Sequence, residues 1–315
     1  MLDTAFGNAK QSVCKQQPLP QRMFGCAILY SISFTRQMDA DTPLTPDEEL
    51  PSKEWPRGRL FMGLSMTLSL IMGVPYVWQA EIGSSTWISG EGFLAATLLL
   101  AATSFWYASL EVSCLDALRF FALATGIGWL AEFSGVHTGF PFGFRYVYHP
   151  VLQPQLPGSV PLAIPLSWYV LLRLPVLLMR CWIVSNLRQA LLKALTCGIF
   201  MAGCALLLDP LGQSSGLWQF ARANDHIVQI YNAAGWSLVA FIATMFYFGS
   251  EMRATQRARA LPIENLVLMM SLAFHALALA ACAHRLGDLP PLLISTLLVL
   301  PCWVCWWRKR PCFIA

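Results

Sequence analysis

Three stretches of the chain hold polar side chains that can exchange protons, set among aromatic rings and glycines. They cover residues 132–149, 209–218 and 230–236. Their carboxyl, imidazole, guanidinium and amide groups belong to Glu132, His137, Arg145, His149, Asp209 and Asn232. Carboxyl and imidazole groups are frequent general acids and bases. Such a grouping of polar side chains is more typical of a functional site than of a random distribution along the chain.

The rest of the chain is far more apolar than a soluble protein. Of its 315 residues, 56% are hydrophobic and 12% are charged, and the mean hydropathy is +0.54. Soluble domains carry about 25% charged residues. We therefore expect an integral membrane protein surrounded by lipid. The net charge is only +4 and forms no single basic patch, so we expect no nucleic-acid partner.

Eight apolar runs come close to the ~20 residues that cross a bilayer. They lie at 60–78, 93–110, 115–133, 160–179, 190–208, 233–249, 262–283 and 289–307. Because lipid offers the backbone no hydrogen-bond partner, such runs must be helices. The prediction is an all-α, polytopic membrane bundle of about eight transmembrane helices, with seven as the alternative count.

The basic residues predict the orientation of these spans. With both termini inside, 17 of the 21 Lys and Arg residues fall on the inner side, three fall in outer loops, and Arg173 lies within a span. This bias is typical of cytoplasmic segments. We expect a multi-pass inner (plasma) membrane protein with both termini cytoplasmic and the three polar stretches at the outer face. Residues 1–59 are interpreted as a mobile cytoplasmic tail with a short apolar segment, and residues 60–310 as the transmembrane domain.

Two further features inside the apolar runs are better explained by structural roles than by chemistry. The pair Cys302 and Cys305 has the spacing of a zinc or redox motif, but no second pair accompanies it. We therefore expect packing residues, no metal and no cofactor. Arg173 lies about two turns from the inner end of its run, so we expect its side chain to extend to that surface.

The residue pattern in the three stretches then becomes specific. A run Gly-x-x-Thr-Gly-x-Pro-Phe-Gly is followed by Tyr-x-Tyr, which comprises Gly135, Thr138, Gly139, Pro141, Phe142, Gly143, Tyr146 and Tyr148. Supporting motifs are a Pro-rich helix start, Asp-Pro with Gly-x-Trp, and Asn-x-x-Gly-Trp, at Pro161, Pro165, Trp168, Asp209, Pro210, Gly216, Trp218, Asn232, Gly235 and Trp236. Over about 95–250 the chain resembles the carotenoid biosynthesis family that includes carotenoid 1′,2′-hydratase and bisanhydrobacterioruberin hydratase. Residues 219–231 are less aromatic than the family pattern.

The resemblance implies a reaction that needs no cofactor. Water adds to the C1′–C2′ double bond of an acyclic (ψ) carotenoid end group and gives a tertiary alcohol. A neutral carboxylic acid would protonate C2′, and an apolar environment keeps a carboxyl neutral. Aromatic faces would stabilise the cation at C1′, and a base would take a proton from the attacking water. The implied partners are the carotenoid, water, and other enzymes of carotenoid synthesis.

The resemblance also suggests roles for the polar residues. Glu132 is the first choice for the acid and Asp209 for guiding water, while Asn232 orients water and His137 and His149 relay a proton. Competing interpretations stay open: an interfacial ion pair of Glu132 with Arg145, an Asp-Pro helix terminator at Asp209, and two ordinary surface histidines.

Around these groups we expect a channel for the polyene and a loop that shapes it. The substrate-binding candidates are Thr138, Phe140, Phe142, Arg145, Tyr146, Tyr148, Trp168, Trp218 and Trp236. Gly135, Gly139 and Gly143 allow tight turns and close approach, and Pro141 prevents a continuous helix. The alternative for each aromatic residue is an ordinary interfacial belt position.

Other functions fit the pattern less well. The five histidines form no His-x-x-His or His-x-x-x-His pair, which argues against a di-iron hydroxylase. No Asp-rich magnesium motif occurs between spans, which argues against a prenyltransferase. A membrane transporter or a non-catalytic scaffold for carotenoid-synthesising enzymes remains the alternative, although no internal repeat is visible.

Overall fold

The structure is a computed structural model that describes residues 90–179, 182, 184–222, 226–251 and 289–308. The expected spans at 60–78 and 262–283 and the tail at 1–59 lie outside the described residues. All helices, strands and contacts refer to this described part of the chain.

Six helices make up most of the described residues. They are α1 (Gly90–Glu111), α2 (Cys114–Thr138), α3 (Ala163–Leu178), α4 (Leu187–Ser214), α5 (His226–Glu251) and α6 (Leu289–Arg308). By length and composition, α1, α2, α4 and α5 can cross a membrane, whereas the apolar parts of α3 and α6 are shorter. The mostly helical architecture agrees with the composition-based expectation.

Local sequence signals fix where several helices begin and end. The Ser113 hydroxyl accepts a hydrogen bond from the backbone N–H of Asp116 at 3.0 Å, so it caps the start of α2. At the other end, Gly139 has a φ of 85° and its N–H donates to the carbonyl of Gly135. A residue without a Cβ adopts this left-handed conformation without strain. Asn186 caps α4 through Gln189 in the same way as Ser113 caps α2.

The six helices pack as a bundle in which α3 contacts each of the other five. Helix α4 contacts α5 and α6, while α2 contacts α1, α3 and α5. Small residues allow close approach: a Cβ on Gly203 would lie 3.0 Å from the carbonyl oxygen of Ser295. The Ser295 hydroxyl donates to the Gly203 carbonyl at 2.7 Å. Such small-residue contacts and interhelical hydrogen bonds are typical of helices packed in lipid.

Two short antiparallel ladders, which the all-α expectation did not include, lie in the connections between helices. Strand β1 (Tyr146–Tyr148) pairs with β4 (Trp218–Phe220), and β2 (Gln155–Leu156) pairs with β3 (Val160–Pro161). The first ladder joins the connection after α2 to the connection after α4. We call this part of the molecule, where α2 and α4 end and α3 and α5 begin, the site end.

Candidate functional site

Glu132 lies near the end of α2, and its carboxyl group is buried and fully hydrogen bonded. The side chain is 4% exposed. The hydroxyls of Tyr146 and Tyr148 both donate to Oε2, the latter at 2.6 Å. The indole N–H of Trp168 donates to Oε1 at 2.7 Å. The competing ion pair is not formed, because Arg145 is exposed.

The local sequence explains how these three donors reach one carboxyl group. Successive side chains of a strand point to opposite faces, so Tyr146 and Tyr148 of β1 share a face, while Val147 between them is 63% exposed. Gly135 leaves the space that Tyr146 needs, since a Cβ there would lie 2.6 Å from the tyrosine oxygen. Gly128 does the same for Trp168, whose ring would be 2.7 Å from an added Cβ.

The two tyrosines are held in their neutral form. Burial, and after it the charge of Glu132, raises the pKa of Tyr146 well above its usual range. The same two causes raise the pKa of Tyr148. A phenol that does not ionise keeps its proton and remains a donor to Glu132.

Asp209 is the second buried carboxyl at the site end. It is 5% exposed, and it accepts a hydrogen bond from Trp218 and interacts electrostatically with Glu132. Its Oδ2 atom has no hydrogen-bond partner. The helix-terminator interpretation is wrong, because α4 continues through Asp209 and Pro210 to Ser214. Gly212, one turn later in α4, leaves room for the Trp218 ring.

Aromatic rings surround these carboxyls. We define the aromatic cluster as Phe142, Tyr146, Tyr148, Trp168, Trp218, Phe220 and Trp236. Its ring centroids are linked by distances of 6.4 Å from Phe142 to Trp168, 4.9 Å from Trp168 to Trp236, and 6.2 Å from Tyr148 to Trp218. The structure therefore brings together six of the predicted aromatic residues and adds Phe220.

Phe220 is the member of the cluster that the sequence interpretation missed. It pairs with Tyr146 across the ladder, and the two ring centroids are 5.3 Å apart. The alternation of Trp218, Gln219 and Phe220 was the available signal, since a period of two predicts a strand with both rings on one face.

Asn232 supplies a second unpartnered polar atom. It lies one turn before Trp236 in α5, is 3% exposed, and its Nδ2 has no hydrogen-bond acceptor. Gly235 on the same helix fits against the loop, since a Cβ there would lie 2.7 Å from the carbonyl oxygen of Pro141. A buried donor without a partner is unusual in folded proteins.

Several other predicted site residues lie at the surface of the site end. The imidazole of His137 stacks on Phe133 and bonds to its carbonyl at 2.8 Å, and His149 accepts from the N–H of Val151. The remaining exposed candidates are Thr138, Phe140 and Arg145. The structure records no hydrogen bond from these residues to Glu132 or Asp209.

The loop between α2 and β1 contains two glycines with positive φ, Gly139 and Gly143. Gly143 has a φ of 89°, a conformation that side chains disfavour. A Cβ on Gly143 would also lie 2.6 Å from the Tyr231 side chain. The loop therefore closes onto the start of α5.

Contrary to the expectation from the sequence, the Arg173 side chain does not extend to the membrane surface. It is 6% exposed, and its guanidinium pairs with the carboxylate of Glu111, which is 4% exposed. Glu111 is the last residue of α1, so the pair joins α1 to α3. Charged side chains within membrane helices commonly pair with one another in this way.

The described residues contain no group of three or more His, Cys, Asp or Glu side chains that is arranged to hold a metal ion. The buried groups of the site end are therefore carboxyls, an amide, phenols and indoles. Such groups can transfer protons, donate hydrogen bonds and stabilise positive charge.

Comparison with known proteins identifies the family. A family model described as carotenoid biosynthesis protein matches residues 92–301, which is more than half of the 315 residues. The match extends beyond the motifs at about 95–250 into α6. No curated protein and no solved structure matches the chain. With Glu132, Asp209 and the aromatic cluster all inside the matched range, the chain belongs to the carotenoid biosynthesis protein family.

Proposed function

We propose that this protein is a cofactor-independent hydratase that adds water to the C1′–C2′ double bond of an acyclic carotenoid end group. One observation carries the proposal: two buried carboxyls, Glu132 and Asp209, are lined by one aromatic cluster, in which the rings of Tyr148 and Trp218 pack against each other. Membership of the carotenoid biosynthesis family supports the substrate class.

The chemistry of this hydration matches what the cluster offers. Protonation of C2′ leaves a tertiary cation at C1′, and each aromatic face can stabilise a cation by about 0.5–2 kcal/mol. The surrounding rings would also limit access of bulk water, so that one positioned water reacts. Carboxyl groups can supply both the acid and the base that the addition requires. Asn232 is suited to orient the attacking water through its unpartnered Nδ2.

The surrounding residues fit supporting roles. His137 and His149 are exposed at the site end, where they would exchange protons with bulk solvent. Thr138, Phe140 and Arg145 would contact the substrate or lipid at the mouth of the site. The polyene would lie in the bilayer of the inner membrane, with the site end at the outer face and both termini in the cytoplasm. Other enzymes of carotenoid synthesis would deliver the substrate.

Expression in a lycopene-producing host tests the proposal directly. We expect wild-type protein to yield pigment heavier by one water per modified end, and Glu132→Gln to yield none at an equal protein level. Glu91→Gln is the matched control, because Glu91 is an exposed glutamate at the start of α1, and it should retain wild-type yield.

Two results would contradict the proposal. Unchanged pigment with each acyclic carotenoid tested would favour transport or scaffolding instead of catalysis. Wild-type yield from Glu132→Gln would remove Glu132 from the reaction.

A further inference from the structure

We infer that Asp209, and not Glu132, carries the proton delivered to the alkene, and that Glu132 acts as a fixed anion facing the cation. The inference rests on the proposed function and assigns its two carboxyls opposite parts. It differs from the roles suggested by the resemblance, in which Glu132 is the acid and Asp209 guides the water.

The hydrogen bonds of Glu132 leave it poorly suited to donate a proton to a hydrocarbon. Both of its oxygens already face donors: two phenols at Oε2 and an indole at Oε1. Three donors stabilise the ionised form of a carboxyl group. If Glu132 were protonated, its O–H would compete with these donors and would turn toward the protein's own groups, away from the substrate.

Asp209 has the opposite arrangement. Trp218 donates to its carboxyl, but Oδ2 is buried without any partner. An ionised oxygen in that position would lack the hydrogen bonds that compensate for lost water. A protonated Oδ2 needs no donor, and its O–H is free to point at the alkene and to give up its proton to it.

The interaction between the two carboxyls favours the same division. Like charges held close together disfavour double ionisation, so one carboxyl retains a proton. Glu132 has three hydrogen bonds to stabilise its charge, whereas Asp209 has one. The proton therefore resides on Asp209.

The addition balances with Asp209 as the only group that changes its protonation. The Oδ2–H bond breaks as the π electrons of the alkene form the new C2′–H bond, leaving a cation at C1′. A water oxygen, held by Nδ2 of Asn232, then forms the C1′–O bond. One O–H bond of that water breaks, and its proton returns to the Asp209 carboxylate. No electron transfer and no co-reactant other than water is involved.

Infrared spectroscopy of the purified full-length protein in detergent tests this assignment without substrate. A protonated carboxyl gives a C=O band that is distinct from carboxylate bands and shifts in D₂O. We expect the band in wild type and its loss in Asp209→Asn. Asp116→Asn and Glu91→Gln change carboxyls away from the site end and should keep it.

Isotope labelling gives a second test that needs no variant and so does not depend on variant folding. A heavy carbon in the side-chain carboxyl of aspartate should shift the band, whereas the same label in glutamate should not. A shift with labelled glutamate, or a band that survives Asp209→Asn, would overturn the inference.

These measurements separate the inference from the proposed function. A wild-type protein that shows the aspartate band but hydrates no carotenoid would refute the hydratase proposal alone. A wild-type hydratase whose band belongs to glutamate, or that has no such band, would refute the Asp209 assignment alone.

Discussion

Tyr146 and Tyr148 donate to the same oxygen of Glu132, although their surroundings differ. Tyr146 is buried between Phe142 and Phe220. Tyr148 is half-buried and packs edge-on against Trp218, the residue that bonds to Asp209. The first tyrosine therefore anchors the ladder in the core, and the second connects the surroundings of the two carboxyls.

The raised pKa of the two tyrosines predicts how stability changes at high pH. An unfolded tyrosine titrates near pH ~10. Because folding holds Tyr146 and Tyr148 neutral, the unfolded state loses these protons first. Their contribution is fully present below about pH 10 and is lost as the pH rises above it. We expect a smaller alkaline loss of thermal stability in the Tyr146→Phe/Tyr148→Phe variant than in wild type.

Thermal unfolding in detergent across this pH range measures the difference. Tyr231→Phe is the control, since Tyr231 is 55% exposed, and its curve should parallel that of wild type. The linkage argument is wrong if the double variant also parallels wild type above pH ~10.

Sequence alone could nominate Glu132 but not its partners. An acidic residue where an apolar helix meets a glycine-rich loop is visible in the primary structure. The bond from Tyr146 depends on β1 pairing with β4, whose residues lie more than seventy positions away along the chain. Strands of three residues carry too little local pattern to predict such a pairing.

At the scale of the elements, one face of α2 explains how the site is built. Gly128, Glu132 and Gly135 are spaced four and three residues apart, so they lie on the same face of the helix. The two glycines admit the Trp168 ring and the Tyr146 side chain, and the acid between them accepts from both. The helix therefore buries its carboxyl without opening the bundle.

This face of α2 predicts different effects for two similar substitutions. Gly128→Ala should destabilise the protein by about 1–3 kcal/mol, because the added Cβ would overpack against Trp168. Gly126→Ala is the matched control on the same helix, since nothing lies within 4 Å of its added Cβ. Alanine there should be neutral or stabilising by up to about 1 kcal/mol.

Thermal unfolding and pigment yield of both variants measure these effects. Gly128→Ala should also lower the yield, because displacement of Trp168 removes a donor from Glu132. Equal stability of the two alanine variants would show that Trp168 does not pack closely against α2.

The helices were more predictable than their exact ends. Apolar length locates α1, α2, α4 and α5, because the run itself is the physical requirement for crossing lipid. The continuation of α4 past Pro210 was not predictable from the Asp-Pro pair. Proline removes one backbone donor but accepts a helical φ, and the packing of α4 against α5 and α6 compensates for the lost bond.

At the scale of the whole molecule, the buried carboxyl groups of the described residues fall into two sets. Glu132 and Asp209 lie at the site end, whereas the Glu111–Arg173 pair joins the last residue of α1 to α3. The second set was not foreseen, because its partners are 62 residues apart in sequence. An arginine within a span can avoid lipid by extending its side chain to the membrane surface or by pairing with a buried carboxylate. Here the packing of α1 against α3 provides the carboxylate of Glu111.

The distribution of basic residues predicts which side of the membrane each end of the bundle faces. If the site end faces outward, the connection after β1 is external and the connection before α4 is internal. Alkaline phosphatase is active only outside the cytoplasm. Green fluorescent protein becomes fluorescent in the cytoplasm but not when it is exported in an unfolded state. We expect phosphatase activity from a fusion after Pro150 and fluorescence from a fusion after Asn186, with each reporter silent at the other position.

The reciprocal reporters make the outcome independent of expression level. Opposite signals at both positions would place Glu132 and Asp209 at the inner face and overturn the orientation, although the buried site would be unchanged. A carotenoid end group would then have to reach the site from the cytoplasmic leaflet. The same signal at both positions would mean that α3 does not cross the membrane, which its 16 residues leave open, because about 20 are needed for a full span.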